Sequence, residues 1–464
     1  MKRTVVINVV GLTDSLIGPS LPQISEFARR GAKATVVPAF PAVTCTAQSN
    51  YVTGMPPAHH GIVGNGWYDR ELAEVQFWKQ SNHLVQGRKI WDDLRSLDPR
   101  FTCAKLFWWY NMYASADYSI TPRPMYPADG RKVFDIYTAP SSIRAEIKKD
   151  LGEFPFPAFW GPAAGINSPK GPADAVSRWI AESAKWTETK YQPTLSLVYL
   201  PHLDYNLQRL GPADPAITQD LKQIDAIVGD LIAFFQKRSV QVLLVSEYGI
   251  TDVETPLHLN RLFREKGWVA IKDELGLELL DCGASKVFAV ADHQVAHIYL
   301  NDRSLEKKVR QLLEQPGIDQ VLGQAEQKAL SINHAHSGDL NAVASPKAWF
   351  TYYYWFEDRV APDYARCVDI HRKPGYDPVE LFLDPAQRFI KLKIGWRLLQ
   401  KKLGFRMLMD VIPLDATLVK GSHGRRPAAA GDHPVLITDR PSLLSGKPLD
   451  STEVFGVIRR AVVD

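Results

Sequence analysis

The sequence predicts an α/β fold: a doubly wound, mainly parallel sheet flanked by helices, with inserted cap segments. Two observations predict it. Short β-branched runs at Thr4–Val10, Ala34–Pro38, Thr194–Leu200 and Val240–Ser246 have the near-continuous apolar character of strands buried on both faces. Helical patterns lie between them, and alternation of strand and helix is the mark of a sheet covered on both sides. The clearest helix runs from Asp214 to Arg238. Asp214 suits its cap, Pro215 its first turn, and Lys237–Arg238 its negative end. In such sheets the functional loops sit at the carboxyl ends of the strands.

The chain of 464 residues reads as one large domain, 1–464, with two elaborations. Residues 106–171 are dense in aromatic residues and proline, and 277–409 form a second cap-like insertion that carries the run Trp349–Phe356. Residues 410–464 return to the core. The aromatic runs either stack a ring-bearing ligand or pack the cap, and packing is the commoner use.

Apolar residues make up 45% and charged residues 23%, a globular composition able to bury a large core. A net charge of +4 gives no electrostatic footprint for nucleic acid. Cys45, Cys103, Cys282 and Cys367 are scattered without CxxC spacing, which argues against a zinc knuckle or a disulfide framework and for a reducing cytoplasm. The basic N-terminus followed by Thr4–Val10 is too short and β-branched for a signal peptide. No stretch of about 18 apolar residues would span a membrane.

The chemistry concentrates around Thr44. Phe40–Pro41 precede it, Thr53–Gly54 and Pro56 follow, and then come His60–Gly61–Ile62 and Asn65. A hydroxyl between a strand and a helix lies at the helix N-terminus, where free amides and the dipole favour an anion. Alone, Thr44 is no more than a helix N-cap residue.

In order and spacing, this segment resembles the nucleotide pyrophosphatase/phosphodiesterase (type I phosphodiesterase) branch of the alkaline phosphatase superfamily. Within the superfamily it looks most like the alkaline-phosphatase-like proteins of bacterial ebo clusters, associated with assembly or export of specialised metabolites. The resemblance implies a threonine nucleophile, Thr44, an asparagine that holds a phosphoryl oxygen, Asn65, and a pair of metal ions that activate the one and clamp the substrate. It implies metal ligands at Asp204, Glu247 and His423. The remaining ligand positions are changed. Val10 stands where the first-strand aspartate belongs, Gln208 and Tyr248 where histidines belong, and Glu247 replaces an aspartate. Asn8, Asp14, His202, Gln208, Tyr248 and His293 are the candidate substitutes. Fewer imidazoles and more oxygen donors shift the expected ion from zinc toward manganese or magnesium, with one or two bound.

The expected activity is therefore that of a phosphodiesterase-like hydrolase with a divergent metal site. The alternative is a non-catalytic binding or accessory protein for specialised metabolites. The expected ligand is a small phosphorylated, aromatic or lipid-like molecule. Three other segments invite a role. Val290–Leu300 reads as one strand with His293 and His297 on a shared face and Asp292 opposite. Arg372 and Lys373 form either an anion-binding pair or a solvated turn. Finally, 387–409 carries seven cations and no acid among apolar residues, a pattern for peripheral membrane contact as well as for an ordinary surface helix.

Overall fold

A computed structural model describes residues 1–165 and 174–464, so 166–171 of the first elaboration lie outside the described residues. Its centre is a nine-stranded sheet. Along the chain the strands are β1 Thr4–Val9, β2 Ala32–Val37, β3 Cys103–Leu106, β4 Tyr118–Pro122, β5 Ile136–Ala139, β6 Leu195–Leu200 and β7 Gln241–Val245. A second sheet is built from β8 Val287–Asp292, β9 Val295–Leu300, β10 Ile318–Leu322 and β11 Leu340–Ala344. The chain then returns to the first sheet with β12 Val435–Thr438 and β13 Leu449–Asp450. The order across the large sheet is β13-β2-β12-β7-β1-β6-β3-β4-β5.

β1 lies parallel between β6 and β7, and β3 and β4 continue that direction. β12 is antiparallel to both β7 and β2, which leaves β2 pointing the same way as β7. The carboxyl ends of β2, β6 and β7 and the start of β12 therefore share one edge of the sheet. The segment 106–171 contributes β4 and β5 to the far edge.

Alternation along β1 shows how the strands serve two layers. Val5, Ile7 and Val9 face one core, shared with the helices Pro22–Arg30, Ala175–Tyr191 and Ile217–Gln236. Val6 faces the other, with Tyr51, Trp91 and Val457. Asn8 lies on Val6's side by the same period of two. A buried amide is costly unless paired, and Asn8 Nδ2 donates to Glu247 Oε1. The long helix starts at Ile217 rather than Asp214; the Asp214 carboxylate accepts from the Ala216 amide at 2.8 Å in the turn before it.

The second sheet corrects the reading of Val290–Leu300 as one strand. β8 and β9 are an antiparallel hairpin, and His293 and Gln294 are its turn. His293 takes a φ of 63°, the left-handed conformation that short hairpin turns require and that a histidine does not announce in sequence. His293 and His297 therefore do not share a face. His297 is tied into the sheet through Val63, Gly338 and Asn341.

The run Trp349–Trp355 is packed: Trp349, Tyr352, Tyr353, Tyr354 and Trp355 form one buried cluster. No helix among the described residues is long and apolar enough to cross a membrane.

Candidate active site

Thr44 opens the helix Thr44–Thr53 directly after β2. The Thr53–Gly54 pair closes that helix: Gly54, at φ 67°, returns its amide to Asn50. His60 Nδ1 accepts from the Ile62 amide at 3.0 Å, Gly61 turns with φ 80°, and Thr46 Oγ1 donates to Ile62 O at 3.2 Å. Those bonds fold the chain back so that Asn65 lies at the helix start, where its Oδ1 accepts from the Cys45 amide at 3.1 Å. The motif residues between Thr44 and Asn65 thus set a turn.

Thr44 and Asn65 line a cavity of about 490 Å³ that opens to solvent. Its wall is aromatic: Trp78, Trp109, Phe159, Trp160, Tyr199 and Tyr376. Asp204, Tyr248, His293 and His423 supply the polar groups.

These groups form a line. The Tyr248 hydroxyl donates to Asp204 Oδ1 at 3.0 Å and lies 3.0 Å from Thr44 Oγ1. A phenol has one hydrogen, so Thr44 is the donor to Tyr248. Gln208, one helical turn beyond Asp204, donates to its other oxygen at 2.9 Å and accepts from the Tyr376 hydroxyl at 2.9 Å. Burial raises the Asp204 carboxyl to about 7, against the bonds from Tyr248 and Gln208 that favour its charged form.

Glu247 is fully buried behind this line. Gln48 Nε2 at 2.6 Å and Asn8 Nδ2 both donate to its Oε1, while Oε2 has no partner among the described residues. Burial raises its carboxyl to about 8, so it is largely protonated at neutral pH. Gln48 also accepts from the Trp109 amide at 2.7 Å, which fixes that part of the wall.

His423 hydrogen-bonds Ala42 O through Nδ1 at 2.8 Å, and its ring stacks on Tyr248 with centroids 3.7 Å apart. Burial holds it well below the usual imidazole range, hence neutral, with Nδ1 as the donor. His293 enters from the hairpin turn and lies against His423 and Tyr376 at 3.6 and 3.5 Å. Its Nδ1 bonds Asp292 at 2.8 Å, and its buried Nε2 has no partner among the described residues.

Asp292 organises this corner, and sequence reasoning missed it. It accepts from the Asn65 amide at 2.7 Å and from Asn65 Nδ2 at 3.1 Å, while also holding His293. Reading 290–300 as a single strand hid its role. Gln48 and Tyr376 carried no motif signal at all. Of the aromatic residues that open the segment 106–171, Trp109 reaches the cavity, whereas Trp108 packs beneath the sheet.

Several candidate ligands are elsewhere. Asp14 pairs with Lys33 in a partly exposed ion pair. His202 shares a helix with Asp204 but lies two residues earlier, on the other face, and its Nε2 is 3.3 Å from Asp220. Asn8, Gln208 and Tyr248 are in the site, each already donating to a carboxylate. Arg372 pairs with Asp363, and Lys373 is buried between Asp377 and Glu380 at 2.7 Å each, so neither is a free anion receptor.

The metal expected from the resemblance meets an unsuitable donor set. Among the described residues, no three His, Cys, Asp or Glu side chains gather where they could hold an ion. Tyr248 stands between Asp204 and His423, bonded to one and stacked on the other. Glu247 is satisfied on one oxygen by amide donors. Asp204, Glu247 and His423 are thus built into a hydrogen-bonded network and do not fit a two-metal centre.

The comparisons agree with this architecture. The fold is that of the alkaline phosphatase superfamily. The chain belongs to the type I phosphodiesterase/nucleotide pyrophosphatase family, a family of hydrolases, whose model matches residues 4–377. An uncharacterised pyrophosphatase/phosphodiesterase of Schizosaccharomyces pombe is 24% identical over 274 residues, 56% of this chain and 46% of that protein. The ectonucleotide pyrophosphatase/phosphodiesterase 1 of Saccharomyces cerevisiae is 24% identical over 275 residues, 54% of this chain and 34% of its own length. The match therefore spans less than half of each curated relative. Among solved structures, phosphonoacetate hydrolase of Sinorhizobium meliloti with phosphonoformate superposes with a TM-score of 0.61 at 14% identity, covering 100% of this chain and 96% of that one. An inactive murine ectonucleotide pyrophosphatase/phosphodiesterase 5 with AMP gives 0.58 at 14% identity, covering 100% and 95%. At that identity they attest to the fold.

Proposed function

We propose that this protein is a phosphodiesterase/nucleotide pyrophosphatase-like hydrolase in which Thr44 attacks a phosphoester. The observation that carries this reading is the line Thr44–Tyr248–Asp204 on the floor of the aromatic cavity. As the Thr44 oxygen bonds to phosphorus and the ester P–O bond breaks, the Thr44 proton passes to Tyr248 and the Tyr248 proton to Asp204. The leaving alkoxide takes a proton from water. Water then attacks phosphorus as the Thr44 O–P bond breaks; its proton passes to the hydroxide left by the first step, and Asp204 returns its proton through Tyr248 to Thr44. Asn65 has one Nδ2 hydrogen bonded to Asp292 and a second for a phosphoryl oxygen.

The aromatic wall supports a small phosphorylated ligand with a ring or lipid-like part. Four free, buried cysteine thiols support a cytoplasmic setting. The donor set favours a second reading, in which a scaffold that has given up its metal ligands binds a phosphorylated metabolite without turning it over.

Hydrolysis of bis-p-nitrophenyl phosphate by wild type and Thr44→Ala, with bound metal measured on the same samples, tests both. Turnover abolished by Thr44→Ala is expected. Turnover that survives the substitution removes Thr44 as nucleophile, and no turnover with or without added zinc, manganese or magnesium leaves the binding reading.

A further inference from the structure

The helix Ile390–Lys402 has no buried residue. Ile390 and Ile394 rest on the body of the protein, packed against the cluster around Tyr352 and Ile412. Lys393 and Arg397 fasten the same side by pairing with Asp410 at 2.7 and 3.1 Å. This helix therefore has its anchoring face, and its second apolar stripe points outward. Leu392, Trp396, Leu399 and Leu403 follow at helical spacing with exposures of 72, 58, 44 and 64%. Phe389 and Phe405, just beyond the two ends of the helix, are 64 and 65% exposed.

Exposed apolar area of this kind marks an interaction site, and charge selects the partner. Residues 387–409 hold seven cations and no acid, whereas the entire chain nets only +4. Beyond the two that pair with Asp410, Arg388, Lys391, Lys401, Lys402 and Arg406 have no carboxylate within ion-pair distance among the described residues. Lys391 and Lys402 border the outward stripe along one side. Central Leu and Trp bordered by cations is the pattern that sits in the headgroup region of an anionic bilayer.

The surface also continues past the helix. Arg406 Nε donates to Asp129 O at 3.0 Å, and Lys401 lies 5.1 Å from the centre of the Phe134 ring. Phe134 stacks on Phe156 at 4.6 Å, and Phe156 meets Phe159, which lines the cavity. A chain of rings thus joins the basic helix to the cavity wall.

We infer that this face, the helix Ile390–Lys402 with Leu403 and Phe405, docks the protein on an anionic lipid bilayer. Leu392, Trp396, Leu399 and Leu403 enter the boundary between headgroups and acyl chains, and Arg388, Lys391 and Lys402 hold lipid phosphates. Docking does not depend on the catalytic reading.

Vesicle flotation of the full chain tests it, with phosphatidylcholine alone and with equal parts phosphatidylcholine and phosphatidylglycerol. Wild type is expected to float with the mixed vesicles and at least about tenfold less with neutral ones or in high salt. Leu392→Ser/Trp396→Ser/Leu399→Ser is expected to stay in the load fraction. Arg388→Gln/Lys391→Gln/Lys402→Gln is expected to bind about fivefold more weakly per cation removed. These side chains are exposed, so both variants keep the wild-type melting temperature. Wild type that floats with neither vesicle, or flotation unchanged in both variants, overturns the inference. So does a wild-type dimer in solution that the serine variant splits while neither protein floats; the face then belongs to a second copy of the chain.

Discussion

Tyr248 stands between Thr44 and Asp204, 3.0 Å from each, giving its hydrogen to Asp204 and taking one from Thr44. Tyr248→Phe breaks both bonds yet keeps the ring on His423. The variant is expected to fold normally and to lose about 10²–10⁴-fold in kcat with little change in KM. Asp204→Asn is expected to cost a similar factor, and the double variant little more than either single, because the two act in one path. Steady-state kinetics on bis-p-nitrophenyl phosphate measure this; additive losses would refute a shared path.

The pH profile carries a sign. Asp204 accepts a proton only when ionised, and its carboxyl lies at about 7. Activity is expected to rise with pH through about 7 and to level off above. In Asp204→Asn that rise is expected to vanish from the residual rate. An unchanged rise in the variant would move the titration to another group.

Glu247 offers a stability test. Burial raises its carboxyl from the ordinary 4.5 to about 8, so the folded state keeps a proton that the unfolded state releases. Its contribution is complete below about 4.5 and declines as pH rises toward about 8. Glu247→Gln retains an acceptor for Asn8 and Gln48 and removes the titration. The variant is expected to gain stability relative to wild type as pH increases across that window. Urea denaturation at pH 5 and pH 8 measures the difference, and a constant offset would show that Glu247 does not titrate there.

Much of this was legible in sequence, for identifiable reasons. The buried strands and the Thr44–Asn65 segment are local: their patterns depend on neighbours a few residues away. β1, β6 and β7 contain most of the runs read as strands, and the turn from His60 to Asn65 is closed by side chains of its own segment, His60, Thr46 and Asn65. What was not legible depends on contacts distant in the chain. Asn8 becomes a partner of Glu247 only once β1 and β7 pair. His202 and Asp204 look like equivalent donors until a helix separates their faces. His293 resembled a strand residue because nothing local marks its turn, and Asp292 gained its role only when that hairpin met Asn65. For the basic segment, sequence supplied the charges and apolar residues, but not which apolar face turned inward.

A buried charge cluster holds one wall of the cavity in place. Lys373 is 1% exposed and lies 2.7 Å from both Asp377 and Glu380. Glu380 also accepts from the Trp160 indole at 2.6 Å and the Asp369 amide at 3.0 Å. This cluster fixes the segment that carries Ile370 and Tyr376, and with it the Tyr376 bond to Gln208 that supports Asp204. Lys373→Met keeps most of the volume but leaves two buried carboxylates without their cation. The expected cost is about 3–5 kcal/mol. Adding Glu380→Gln removes one stranded charge, so the double variant is expected to be more stable than Lys373→Met alone. Activity is expected to follow the wall: Lys373→Met raises KM more than it lowers kcat, because the aromatic side of the cavity loosens while Tyr248 still holds Asp204 in line with Thr44. Denaturation curves and KM for the two variants decide it; a double variant less stable than the single one would show that the cluster is held by something other than its charges.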